Sequence, residues 1–527
     1  MRTHLLQWFA WSVFLVASVA RTASGVVYEL DSQDDWYHVL SGTFLQPGDE
    51  VVLAEGVYSS ASRLSIRCQG TAEAPILIRA AQGANVVVTR PDALQNVINI
   101  EGGQYLTLRG IEVTGGDSGV RIGGNTAGDF ARFVTIEECH IHDVGAPAVT
   151  CNSSPTYEGM VFRRNEIDHT SGVGEGFYLG SNNAADGSTT SVFFNGLIEG
   201  NYIHDLNGPS VTEGDGIEIK DGSYGNIIRD NVIHNTNLPG ITLYGTDGNP
   251  RNLVERNVIW NTGDNGIQAA SEAIIRNNII VNPSYFGIYS KNHQSAMPGS
   301  LTIVNNTIFS DSGLACIRVD KPTVDNGPIV IANNAMWGTG TGSQVDLRAP
   351  GIIFTGNVVS QDPAADFVDA ALLNFAPAPG SALLGAGDPA YVVADDFDGA
   401  PRLGVPDAGA YAGSAAGQDR WQVQGGFKPL VVIPGLIGDA NRDGVVDALD
   451  YIAMKRHWGL AGGASLADGD FNWDGIVDWY DLVLLASMFG TVAGQGPAPS
   501  DIANIPEPAT VSLLALSGLV LIRRRRQ

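Results

Sequence analysis

Two segments near the C-terminus place oxygen-bearing side chains at the spacing a hard cation requires. Asp439, Asn441, Asp443, Asp447 and Asp450 fall at positions 1, 3, 5, 9 and 12 of one loop, with Gly444 at the sharp turn at position 6. Asp470, Asn472, Asp474, Asp478 and Asp481, with Gly475, repeat the pattern 31 residues later. Ca2+ takes roughly six to eight oxygens from a flexible loop, and this spacing supplies them. Each loop runs into an apolar, helix-like stretch, Tyr451–Trp458 and Leu482–Phe489.

A second set of reactive side chains lies mid-chain on short segments that alternate apolar and polar residues behind a glycine. Examples are Gly216-Ile217-Glu218-Ile219-Lys220 and Gly240-Ile241-Thr242-Leu243-Tyr244. With Ile, Val and Leu facing inward, the remaining positions form two outward columns. One runs Arg121, Thr150, Tyr178, Glu218, Thr242, Gln268, Tyr289, Arg318; the other runs Gly123, Asn152, Gly180, Lys220, Tyr244, Ala270, Lys291, Asp320. Neighbouring strands stand about 4.8 Å apart. Tyr178, Glu218, Lys220, Thr242, Tyr244, Gln268, Tyr289 and Lys291 are therefore expected to form one open patch, in which aromatic rings beside cations suit a sugar chain. The preceding strands carry a further column, His142, His204 and His234, flanked by Asp143, His169 and Asp205. Repeated Ile-His-Asp reads either as a metal or acid/base cluster or as hydrogen-bonding groups of a turn. His204 and His234 stand as secondary catalytic candidates.

The elements that must position these groups follow from an asparagine repeat. Asn165, Asn201, Asn231, Asn257, Asn278, Asn306, Asn334 and Asn357 recur in one local context at steps of 36, 30, 26, 21, 28, 28 and 23 residues, and Cys139 holds the same place one step earlier. Such a period, with insertions, signals a solenoid whose coils bury their apolar faces on one another. No helical periodicity separates the strands, so the fold expected is all-β: a right-handed parallel β-helix followed by a small α-helical Ca2+-binding domain. The asparagines would bond along the stack at a turn.

Composition agrees with this architecture. A chain of 527 residues exceeds one compact core, which a solenoid tolerates; 65 glycines and only 16% charged residues suit turns and rungs. A net charge of −26 disfavours nucleic acid and anionic membranes as partners. Residues 1–24 read as a secretory signal peptide cleaved within 20–25, with an uncleaved anchor as the alternative. Of four cysteines, Cys68 and Cys316 are isolated, Cys139 falls in the asparagine ladder and Cys151 on an inward strand position, which favours buried thiols over a bridge.

Family resemblances extend these readings. The paired loops, with Met454-Lys455-Arg456 after the first, resemble a type I dockerin. That resemblance carries Ca2+-ligand roles to Asp439, Asn441, Asp443, Val445, Asp447 and Asp450, and to Asp470, Asn472, Asp474, Ile476, Asp478 and Asp481. Dockerins engage cohesins; here Ala448-Leu449 and Trp479-Tyr480 stand where Ser-Thr is common, so the partner implied is a cohesin-like domain of a different kind. Pro506-Glu507-Pro508, the apolar Val511–Ile522 and Arg523–Arg526 resemble a PEP-CTERM sorting signal of Gram-negative bacteria. It implies export, processing by signal peptidase and an exosortase, and display at the outer surface or in the extracellular matrix, with a C-terminal membrane segment before processing. Leu45-Gln46-Pro47-Gly48-Asp49 onward resembles the opening of bacterial β-helix polysaccharide lyases, and Asp396–Arg402 with Pro406–Tyr411 resembles the closing segment of such domains. Residues 215–231 resemble the catalytic coil of the alginate lyase and chondroitinase B family, in which Lys220 matches the base; Tyr244 stands where that family has an Arg. The implied organisation is a signal peptide (1–24), capped β-helix (25–413), linker (414–437), dockerin-like module (438–490), linker (491–504) and sorting segment (505–527). Two functions remain open. One is a lyase acting on uronate polymers, with Lys220 as base, Tyr244 as acid, Ca2+ in the groove as well, and Tyr178, Glu218, Thr242, Gln268, Tyr289, Lys291 and Arg318 binding substrate. The other is a glycan-binding matrix or adhesion protein without catalysis.

Overall fold

The computed structural model describes residues 25–488, apart from 73, 124–129, 183–189, 321–325, 340–343, 349–350, 394, 414–419, 432–436, 441–445, 447, 461–463, 465 and 472–475. Each coil lays one strand into each of three sheets. In the coil at 227–243, Ile227–Arg229 joins the first sheet, Val232–Thr236 the second and Ile241–Leu243 the third. Pairing between these coils is parallel and in register, so like residues stack: Ile203, Ile233, Ile259, Ile280 and Ile308 form one inward column and are fully buried. The chain is a parallel β-helix, as its period implies.

The corner between the first and second sheets is where the asparagines sit. Asn201 accepts at Oδ1 from both the backbone N and Nδ2 of Asn165, each at 3.0 Å, and donates from Nδ2 to the Phe162 carbonyl at 2.9 Å. The same contacts continue through Asn231, Asn257, Asn278, Asn306, Asn334 and Asn357. Cys139 joins as a donor only, its N bonding Asn165 Oδ1 at 3.1 Å. A shorter second ladder, Asn226 to Asn252, holds another corner and was not evident from the sequence repeat.

Each ladder asparagine follows a residue in the left-handed region: Arg164, Asp230, Arg256, Asn277, Asn305 and Asn333 have φ between +52° and +56°. A parallel column follows the second sheet at Asp143, His169, Asp205, Asn235 and Asn261. Short polar side chains tolerate that conformation, which accounts for the Asp of the repeated Ile-His-Asp.

Residues 361–431 differ from the expected cap and linker. Instead of closing the end, the described residues of this stretch return along the outside of the ladder corner as a strap. Phe367, Phe375, Phe397 and Tyr411 form a core with Val258, Ile279, Val281 and Ala335. The left-handed residues hold the strap from outside: Asn333 Nδ2 donates to the Tyr391 carbonyl, Asn305 Nδ2 to Asp407, and Asn277 Nδ2 to Asp395, all within 3.1 Å. Arg256, fully buried, ties Asp230, Glu255 and Asp395 together. Further along, Lys428 is buried with its Nζ 2.7 Å from Asp230 Oδ1, so part of the 414–437 stretch packs on the β-helix; apolar neighbours alone could not neutralise that ammonium.

In the C-terminal module, helices span Ala448–Arg456 and Trp479–Met488, starting three residues before the apolar stretches read from the sequence and so taking Asp450 and Asp481 into their first turns. Val446, Met454, Phe471, Val477 and Leu485 form its core. Asn441, Asp443, Val445, Asp447, Asn472 and Asp474, the leader at 1–24 and the tail at 505–527 lie outside the described residues. No helix among the described residues is long and apolar enough to cross a membrane. The four cysteines are buried free thiols, as expected.

Asn231→Ala should cost on the order of 3 kcal/mol, because it strands the buried Asn201 N–H and the Ile198 carbonyl. Cys139→Ala, at the same station without an amide, should cost about 1 kcal/mol. Urea unfolding of the two variants would show this difference; equal midpoints would mean the ladder contributes nothing beyond packing.

Candidate functional site

The third sheet carries the predicted reactive columns. Tyr178, Glu218, Thr242, Gln268, Tyr289 and Arg318 are consecutive register partners, in the order read from the sequence. The glycine leading a third-sheet strand is a close-approach position where it occurs: a Cβ on Gly216 would fall 2.4 Å from the Gly240 carbonyl oxygen. Gly180 in the coil before leaves room for Lys220, whose Cβ would stand 3.0 Å from a Gly180 side chain.

Lys220, Glu218 and Tyr244 form one compact unit. Lys220 Nζ donates to Glu218 Oε1 at 2.5 Å and to Tyr244 Oη at 3.3 Å; Tyr244 Oη donates to Glu218 Oε1 at 2.9 Å. Lys220 also sits 4.2 Å over the Tyr178 ring. The expected open patch is instead roofed here. Lys220, Glu218 and Tyr244 are only 2, 3 and 4% exposed, and Thr242 and Gln268 are buried as well. The roof comes from the 291–300 loop: the His293 ring lies 4.3 Å from the Tyr244 ring, and Ser295 Oγ donates to Asp221 Oδ2 at 3.0 Å. Tyr178, Tyr289, Lys291 and Arg318 remain half-exposed, so the predicted platform has a covered middle flanked by half-exposed residues.

Electrostatics distinguish the groups. Burial opposes the Lys220 charge, but Glu218 and Tyr178 outweigh it and hold the ammonium pKa above its usual value. Burial, then Glu218, raises the Tyr244 phenol well above its ordinary range, so it stays protonated. Burial pushes His293 down to about 4, with Lys291 and Lys220 adding to the effect.

Three acids complete the site and were given no role in the sequence reading. Glu175 is buried with neither carboxylate oxygen hydrogen-bonded, and Glu218 Oε2 is also unpartnered. Asp215 accepts from Thr242 Oγ1 at 2.5 Å. Glu175, Glu213 and Glu218 bring carboxylate oxygens within 4.8 Å of one another, a set that could hold a divalent cation. Burial raises Glu175 to about 8, reinforced by Glu218, and lifts Asp215 far above its usual value. The signal was present: an acid directly precedes the leading glycine in two successive coils, Glu175-Gly176 and Asp215-Gly216.

His204 and His234 lie on the second sheet, apart from Lys220. His234 stacks on Trp260 at 4.3 Å, and its Nε2 lies 3.0 Å from Tyr202 Oη; burial, then His204, lowers its pKa to about 4. His204 faces carboxylates, with Nδ1 2.8 Å from Asp205 and Nε2 3.3 Å from Glu166.

Comparison with known proteins follows the two halves of the chain. Residues 96–251 and 193–327 match the right handed beta helix region, and residues 437–490 match the dockerin type I domain. The chain carries a right-handed β-helix region and a dockerin type I domain. No curated protein matches the chain. Among solved structures, an alginate lyase from Paenibacillus sp. str. FPU-7 is similar at 18% identity and TM-score 0.41, covering 62% of this chain and 99% of its own. Pectate lyase Pel9A is similar at 16% identity and TM-score 0.46, covering 74% and 98%. An α-1,3-glucanase catalytic unit from Streptomyces thermodiastaticus strain HF3-3 shows 16% identity and TM-score 0.40, covering 65% and 70%. Dockerin domains of this type bind calcium and engage cohesins in general. In this dockerin, the carboxylates of Asp439, Asp450, Asp470 and Asp481 are all buried, and Asp481 accepts from the backbone N of Phe471 at 2.7 Å and of Asp478 at 2.8 Å.

The buried acids make a pH prediction. Folded Glu175 holds its proton to about pH 8, against 4.5 ordinarily. Between those values the folded β-helix binds more protons than the unfolded chain, so stability falls as pH rises. Glu175→Gln should flatten that decline and be the more stable form at pH 8. Parent and variant whose thermal midpoints change in parallel from pH 5 to pH 8 would rule this out.

Proposed function

We propose that this is an exported, polysaccharide-active protein that cleaves uronate-containing chains by β-elimination and is tethered outside the cell through its dockerin. The observation that carries the reading is the contact set of Lys220, Glu218 and Tyr244 across two coils, beside the buried acids Glu175 and Asp215. Lys220, as the amine, removes the C5 proton; Tyr244 gives its phenol proton to the leaving oxygen as the C–O bond breaks and the C4–C5 double bond forms. The 3.3 Å contact then returns the proton from Lys220 to Tyr244 and closes the cycle. Glu218 orients both groups, and Thr242 fixes Asp215. The unpartnered oxygens of Glu175 and Glu218, with Glu213, fit a hard cation such as Ca2+. When bound, such a cation supplies charge to offset a uronate carboxylate and loosens the hold of Glu218 on Lys220, favouring the neutral amine. Tyr178, Gln268, Tyr289, Lys291 and Arg318 form the sugar-binding run, which is half-exposed at Tyr289, where Lys291 Nζ stands 5.3 Å over the ring.

For the dockerin, Asp439, Asn441, Asp443, the Val445 carbonyl, Asp447 and Asp450 form one Ca2+ shell, and Asp470, Asn472, Asp474, the Ile476 carbonyl, Asp478 and Asp481 the other. Four buried carboxylates in so small a core require a counter-charge. A cohesin-like domain is its partner. Signal peptidase and an exosortase process the ends, delivering the protein to the outer surface or polymer matrix of a Gram-negative bacterium, with 505–527 as the transient membrane segment.

The near-complete burial of Lys220 and Glu218 favours a second reading, a glycan-binding matrix protein in which the pair only braces the groove. Lys220→Gln should reduce formation of ultraviolet-absorbing unsaturated ends at least about 100-fold, and Tyr244→Phe should lower kcat more than it raises KM. Tyr289→Ala should weaken binding roughly tenfold with kcat kept. Binding to a uronate panel with no unsaturated product from the parent would leave the binding-only reading standing.

Chelation of Ca2+ should make residues 437–490 protease-sensitive while 25–413 survives, since binding energy there is folding energy. Asp439→Ala with Asp470→Ala should do the same in excess Ca2+. Equal resistance with and without chelator would remove Ca2+ from the account of this domain.

A further inference from the structure

The outer face of the second sheet carries a cluster that the proposed chemistry does not use. His140, Glu166 and Asp168 bring one ligand atom each within 4.8 Å of one another. His140 Nε2 lies 2.7 Å from Asp168 Oδ2. From the next coil, His204 Nε2 stands 3.3 Å from Glu166 Oε1 and 3.9 Å from Asp168 Oδ2. Strand register places these groups on three successive coils: His140 pairs with Glu166, and Asp168 pairs with His204.

A separate observation concerns the far side of the His204 ring. Its Nδ1 lies 2.8 Å from Asp205 Oδ2, and Asp205 is fixed by its left-handed backbone and by Asn235 Nδ2 at 2.7 Å. A carboxylate on Nδ1 holds the proton there and leaves the Nε2 lone pair aimed at Glu166 and Asp168. That is how a ligating imidazole is oriented from behind.

We infer that His140, Asp168, Glu166 and His204 form a binding site for a borderline divalent ion such as Zn2+, which clips three coils of the β-helix together. Two imidazoles and two carboxylates match its preference for nitrogen and oxygen donors. Bonds near 2.1 Å in a tetrahedron set donors about 3.4 Å apart. The His204–Glu166 separation already has that value, His140–Asp168 and His204–Asp168 differ from it by about 0.7 and 0.5 Å, and His140, the most exposed of the four, has to swing toward His204 to close the tetrahedron. His140, with 39% of its side chain exposed, gives the ion a path in from solvent.

The test is a Zn2+ titration of the full chain in excess Ca2+, so that the dockerin loops are filled. One Zn2+ per chain is expected, lost in His140→Ala/His204→Ala and kept in His142→Ala. Asp205→Asn, which acts only through His204, should weaken binding about tenfold. In the parent, Zn2+ should protect His140 from carbethoxylation while leaving the dockerin's His457 reactive, a readout that needs no variant. No uptake by the parent, uptake unchanged in the double variant, loss in His142→Ala as well, or no protection of His140 would each overturn the assignment.

Discussion

A backbone that turns a corner against its own core must find partners for the groups the bend releases, and in this chain one amide side chain per coil does so. The asparagine at each corner takes two donors from the coil before it and caps a first-sheet carbonyl of that same coil. Because the carboxamide both accepts and donates, every station depends on the next, and the spacing of the coils is set at the corner before any apolar contact is considered. The inward isoleucine columns then stack because the corner has placed them in register. The reactive columns on the third sheet are aligned by the same restraint acting one strand further along.

Two buried charge clusters show different uses of that frame. Around Arg256, cation and carboxylates come from the β-helix and the strap, and the buried guanidinium joins the two. Such clusters specify arrangement more than they add stability. Around Lys220 the acids outnumber the base. Glu175 and Asp215 remain protonated where they would otherwise repel Glu218, and unpartnered oxygens stand in a covered space. Perturbed, unpartnered acids gathered in one covered space are the feature on which the proposed function rests.

What the sequence made legible follows from backbone periodicity. Alternation along a strand is a property of the chain, so Tyr178, Glu218, Thr242 and Gln268 could be placed side by side from their spacing, and the structure keeps that order. Glu175 and Asp215 lie just ahead of their strands, where alternation says nothing about direction. The roof over Lys220 depends on contacts such as Ser295 with Asp221, 74 residues apart, and no local pattern encodes them. The dockerin loops were readable because cation coordination fixes ligand spacing within a dozen residues, whereas the strap was read as cap and linker because its partners lie as far as 264 residues away.

The doubled asparagines, Asn277-Asn278, Asn305-Asn306 and Asn333-Asn334, divide their labour: the second member faces into the ladder and the first reaches out to the strap. A solenoid has no intrinsic length, since any coil can follow any other. A strap that must meet successive coils at fixed stations does have one. Duplicating or deleting a single coil between 257 and 334 would move the stations by one pitch, about 4.8 Å, while the strap's own spacing stayed the same. The strap therefore acts as a ruler: a chain with one turn more or fewer in this region would lose the match between strap and stations.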